Sequence, residues 1–222
     1  MRAFPSRCEL LVCALVVVPL GAVLAAVCLV FGPVEIVAAA PAAAGREAGR
    51  VYYAAGSRDR AKGVRWMLKR QQLFEGTARE VVFNEDELNL WFAWEPAGVP
   101  LPARGAGREW VEVRGVDFRI ADGALCVGLP ASVALGARRV PVLFQARGGF
   151  ARRGDGLVMY APDEVWAGAF PLHRVPWATR LLMARMPARH TLPGAGMELW
   201  RKISRVTIAG REMRVEMDNG RP

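Results

Sequence analysis

Residues 10–31, LLVCALVVVPLGAVLAAVCLVF, run for 22 successive positions without a charge. At a rise of about 1.5 Å per residue, a helix of that length covers about 33 Å, enough for a hydrocarbon core about 30 Å thick. Pro19 and Gly21 would weaken a helix in water, yet both are tolerated in membrane spans when neighbouring groups satisfy the backbone. The run predicts a transmembrane helix over 10–31 behind a short cytoplasmic tail at 1–9. Arg2 and Arg7 precede it, and Glu35 is the first charge after it. The positive-inside rule then puts the N-terminus in the cytoplasm and the remainder outside. The rival reading is a cleaved signal peptide, with a small-residue processing site near Ala40 in VAAAPAAAG. Against it, the apolar region of such peptides usually covers only about 7 to 15 residues.

Cysteine usage follows the same division. Cys8, Cys13 and Cys28 belong to the tail or the run, which leaves Cys126 without an intradomain disulfide partner in the exported part. A 53% hydrophobic composition counts against a mostly disordered chain. The net charge of +9 is interspersed along the sequence, and the expected topology keeps it from cytoplasmic nucleic acid. Anionic headgroups or envelope polymers are the accessible partners for such a charge.

Residues 32–57 are rich in Ala, Gly and Pro and read as a spacer, with the domain proper at 58–222. A helix over about 58–74 places Val64, Met67, Leu68 and Gln71 on neighbouring turns, broadened by Trp66 and Phe74. Trp66, Lys69 and Arg70 combine aromatic and basic side chains and are the candidate membrane-proximal or interaction surface. Ordinary packing of this helix on the following domain is the alternative. In REVVFNEDELNLWFAWEP, residues 79–96, a short strand meets a helix start: Asn84 and Glu87 have capping-box spacing. Leu88, Trp91 and Phe92 then repeat at helical spacing. The adjacent acids Glu85, Asp86 and Glu87 suit the first turn of a helix better than a catalytic site.

The period then changes to that of strands. Val111 and Val113 share one phase and Val116, Phe118 and Ile120 the other, which a bulge near Gly115 would reconcile. Asp122-Gly123 is a two-residue hairpin signal. Leu125, Val127 and Leu129, then Val140, Val142 and Phe144, continue an antiparallel meander. Arg153-Gly154-Asp155 spells an adhesion tripeptide but reads as a charged turn, and Pro162 should end the next strand. A helix over 176–186 covers one sheet face. A final hairpin turns at Ala209-Gly210, with Met213, Val215 and Met217 on its buried side. The fold class expected is α+β: a transmembrane helix followed by a mostly antiparallel, curved sheet covered by short helices.

The apolar run, FNEDELNLWFAW at 83–94, the repeated strands and the terminal hairpin resemble the uncharacterised YpmS-like family of membrane-anchored bacterial envelope proteins. The likeness covers most of 10–217, and Glu87-Leu88-Asn89 is its short motif, which adds Asn89 to the candidate residues. It implies a single-pass protein of the bacterial inner membrane with a periplasmic or extracytoplasmic domain. A more distant likeness, to elongated sheet domains of lipid-carrying envelope proteins, implies a concave surface that holds an acyl chain.

Chemical motifs are sparse. His173 and His190 lack metal-ligand spacing, and Ser57, Ser132 and Ser204 lack a nucleophile elbow. With no phosphate-binding glycine loop either, no catalytic, cofactor or metal residue is assigned. The function expected is a membrane-tethered structural or protein-interaction domain of the cell envelope, not an enzyme. It would contact membrane lipids through its anchor and an envelope protein or lipid ligand through its domain. The alternative is a lipid-binding or lipid-transfer accessory domain.

Overall fold

The structure, a computed structural model, describes residues 7–37, 51–94, 111–177 and 194–218. Helix α1, Arg7–Val30, leads into β1, Val34–Val37, which pairs in parallel with β2, Val51–Ala54. Both strands lie in the stretch read as a spacer. There follow α2 (Trp66–Glu75), β3 (Glu80–Asn84) and α3 (Glu85–Trp94). The strands β4 (Val111–Val113), β5 (Asp117–Ala121), β6 (Ala124–Leu135), β7 (Arg138–Arg152), β8 (Val158–Ala167) and β9 (Phe170–Pro171) build the largest sheet. A 3₁₀ turn at Leu172–Arg174 follows, and later α4 (Gly194–Lys202), β10 (Ile203–Ala209) and β11 (Glu212–Met217).

Among the described residues, no helix is long and apolar enough to cross a membrane. Helix α1, Arg7–Val30, carries Pro19 in its interior. Its C-terminal end is tied to the large sheet: the Ala169 amide, in the β8–β9 turn, donates to the Leu29 carbonyl at 2.9 Å. This corrects the transmembrane helix expected at 10–31. The tether, the single-pass inner-membrane location and the lipid contact through an anchor are corrected with it.

The single curved sheet is also corrected. Among the described residues the strands form three open sheets: β1–β2, then β10–β11–β3, then six strands in the order β4–β6–β7–β8–β9 with β5 also on β6. None is closed or curled. The division arises because the C-terminal hairpin takes β3 as its third strand, Val215 opposite Val81 and Met213 opposite Phe83, instead of extending the meander. One core fills the space between the three-stranded and six-stranded sheets. It holds Val81 and Phe83 of β3, Phe118 and Ile120 of β5, Leu125 of β6, and Val206 and Val215 of the hairpin. Leu73, Leu88 and Leu199 close it from α2, α3 and α4. The sheet face expected to hold an acyl chain is thus packed with the protein's own side chains.

Asp122 and Gly123, at φ 52° and 69°, make the two-residue turn between β5 and β6, with Ala121 opposite Ala124. Arg153-Gly154-Asp155 lies in the β7–β8 turn, closed by the Gly156 amide donating to the Arg153 carbonyl at 2.9 Å. The bulge expected at Gly115 is a break between two strands that pair in succession with β6. Pro162 does not end its strand. It sits opposite Gly148, at the register shift in β7 between Arg147 and Gly148, where a missing N–H donor is tolerated. Apart from its first two positions, the helix expected over 176–186 lies outside the described residues, as do His190 and Ala40.

Candidate functional site: a cleft with two arginines

The segment following β2 is held almost entirely by side chains from other elements. Asp117, 5% exposed at the start of β5, accepts from the Tyr53 hydroxyl, and its Oδ2 accepts from the Gly56 amide at 2.8 Å. Its other oxygen lies 3.3 Å from the Arg58 guanidinium. Burial, followed by the bond to Asp117, pushes the Tyr53 hydroxyl well above the ordinary tyrosine range. Tyr53 seats against Gly128 of β6, where a Cβ would collide with the phenol ring. The close approach of Tyr53 to β6 thus depends on a position that lacks a side chain.

Helix α3 supplies the other clamps. Glu85 accepts from the Ser57 amide at 2.5 Å through Oε1 and from the Ile120 amide at 2.9 Å through Oε2. Asp86 accepts from the Asp59 amide at 2.7 Å. Asn84 and Glu87 bond reciprocally: the Glu87 amide donates to Asn84 Oδ1 at 2.8 Å and the Asn84 amide to Glu87 Oε2 at 2.9 Å. Lys69 brings its ammonium within 2.5 Å of that same oxygen. Asn89, fully buried one turn further on, binds the Ser57 and Phe118 carbonyls through Nδ2 and the Phe118 amide through Oδ1. Carboxylates that accept several N–H bonds in this way are committed to holding backbone in place.

Trp66, Lys69 and Arg70, expected to form one surface, are placed as follows. Trp66 is buried, Lys69 turns to Glu87, and the Arg70 guanidinium lies 4.7 Å from the centre of the Phe74 ring. His173 Nδ1 is 3.1 Å from the Val165 carbonyl, and its ring meets Trp166 edge-on. Cys126 lies beside Arg147 and Arg119, yet burial outweighs both and holds its thiol above the usual range. Among the described residues, no three His, Cys, Asp or Glu side chains are grouped to hold a metal ion.

A cleft of about 640 Å³ opens where the clamped segment, the β5–β6 turn and the β10–β11 turn meet. Ser57, Glu85, Arg119, Asp122, Gly210 and Arg211 line it. Both Glu85 oxygens are occupied by amides, and Asp122 faces Arg147 at 3.7 Å. Neither Arg119 nor Arg211 has a carboxylate partner among the described residues. The lining therefore includes two arginines without a carboxylate partner among the described residues, while its Glu85 is already engaged by two amides. Sequence reasoning missed this pairing. Arg119 is visible as the polar residue between Phe118 and Ile120, but nothing local connects it to Arg211 in another hairpin.

No protein-family model, no curated protein and no solved structure matches this chain, and none of these comparisons supports a specific family assignment.

Proposed function

We propose that this chain is a non-catalytic binding domain that takes a small anionic group, a carboxylate or a phosphate, in the cleft between Arg119 and Arg211. The carrying observation is that Arg119 and Arg211 line one cleft without carboxylate partners among the described residues, while both oxygens of its Glu85 already accept amides. Planar guanidinium groups recognise carboxylate and phosphate oxygens through paired N–H bonds. A concave site strengthens such contacts by excluding part of the water. The non-catalytic part of the reading is supported by Glu85, Asp86, Glu87 and Asp117, each of which already binds backbone amides.

Titration of the full chain with inorganic phosphate and with citrate, followed by calorimetry, tests the proposal. Saturable binding is expected, weakening as salt rises. Arg119→Gln and Arg211→Gln should each reduce affinity about tenfold, the worth of roughly one charged hydrogen bond. Binding that survives in the double variant, or no saturable binding by either anion, would refute the assignment.

A further inference from the structure

Helix α2 presents the opposite face from the one its aromatic content suggests. Trp66 and Leu73 turn into the protein, while Val64, Met67 and Leu68 remain 67%, 60% and 56% exposed. Met67 and Leu68 lie in the first turn of the helix and Val64 in the turn that enters it, three and four positions before them, so that an exposed apolar ridge marks this end of α2. The same region is strongly basic: between Arg58 and Arg70 the sequence has six Lys or Arg residues and one acid, Asp59. Arg58 and Lys69 are drawn towards Asp117 and Glu87, and Lys62 pairs with Asp59 at 3.6 Å. Arg60 and Arg65 are exposed and have no ion-pair partner among the described residues. The ridge is thus flanked by positive charge that the fold leaves uncompensated.

We propose that this ridge is a docking surface for an acidic amphipathic helix of a partner protein. Val64, Met67 and Leu68 would pack against an apolar stripe of matching spacing, and Arg60 and Arg65 would face carboxylates on its flanks. Charge complementarity selects this occupant, since a helix with basic flanks would be repelled by the same rim. Methionine suits such a surface because its flexible thioether adapts to more than one partner side chain. The surface is separate from the arginine cleft, which is lined by other elements.

The test uses the full chain and two fluorescein-labelled synthetic helices with the same leucine stripe, one flanked by glutamates and one by lysines. Fluorescence anisotropy should show saturable binding of the acidic helix and at least tenfold weaker binding of the basic one. Met67→Ser/Leu68→Ser should abolish binding without changing the circular dichroism spectrum, because both side chains lie outside the core. Arg60→Glu/Arg65→Glu should invert the charge preference. Equal affinity for the two helices, or no binding of the acidic one, overturns the proposal. So does binding of vesicles of anionic phospholipid that needs Met67 and Leu68 while the acidic helix fails to bind. Phosphate titration of the same variants reads the arginine cleft separately, so failure at one surface is distinguishable from failure at the other.

Discussion

Asn89 and Phe118 are joined as two adjacent strands would be: the Phe118 amide donates to Asn89 Oδ1 at 2.7 Å, and Asn89 Nδ2 donates to the Phe118 carbonyl at 2.6 Å. A buried helix side chain thereby occupies the hydrogen-bonding edge of β5. Its amide also reaches the Ser57 carbonyl at 2.9 Å, so one residue ties helix, strand and clamped segment together. Asn89→Ala should cost about 3 kcal/mol, because it strands buried backbone groups without partners. Asn89→Asp should not rescue it, since a carboxylate cannot donate to the Phe118 carbonyl. Urea denaturation of the three proteins measures both effects.

Lys69 and Glu87 should be strongly coupled. Glu87 is 1% exposed and Lys69 approaches it from α2. Lys69→Met is expected to destabilise by about 3 kcal/mol, leaving a buried carboxylate with one amide donor. Adding Glu87→Gln should recover part of that loss by removing the charge. A double-mutant cycle in urea would show this as non-additivity, and additive losses would sink the idea.

Two glycines should respond in opposite senses. A Cβ at Gly56 would collide with the Phe118 carbonyl oxygen, which is backbone and cannot swing away. Gly56→Ala should therefore cost about 3 kcal/mol through overpacking. A Cβ at Gly149, within β7, meets nothing, so Gly149→Ala should be neutral or stabilise by up to about 1 kcal/mol by restricting the unfolded chain. Thermal melting of the pair reads the contrast.

Tyr53 predicts a loss of stability in alkali. Burial and its bond to Asp117 raise its ionisation above the ordinary value of 10.0, so the folded protein keeps the proton after the unfolded chain has lost it. The unfolded chain then binds fewer protons, and stability falls as pH rises beyond about 10. Below that pH the contribution is fully present. Tyr53→Phe should lower the urea midpoint at neutral pH by removing the bond to Asp117, yet flatten its decline between about pH 10 and 11.5. Some slope should persist, because burial raises Tyr160 in the same direction. An equally steep decline in the variant would contradict the assignment.

Much of the local structure was legible because it depends on neighbours in the chain. Asp122-Gly123 supplies backbone angles suited to a tight turn, and the alternation through Met213, Val215 and Met217 marks one buried strand face. Asn84 and Glu87 lie three positions apart, within reach of each other at a helix start. The α2 surface shows where such reading stops. Periodicity identifies a stripe at Val64, Met67 and Leu68 but not which way it faces, and tertiary packing buried Trp66 and Leu73 instead.

By itself, the sequence determined the mixture of helices and strands, the hairpin turns and the helix start at Asn84, all of which follow from interactions over a few residues. Only the tertiary structure decided that the strands divide into three open sheets, that Glu85 and Asn89 clamp backbone far away in the chain, and that Arg119 shares a cleft with Arg211. The membrane-spanning expectation belonged to the first kind of evidence, since it rested on the apolar length of one segment. Sheet pairing and side-chain clamps instead depend on which distant groups can satisfy buried donors and acceptors, a condition that exists only once the chain has folded around them.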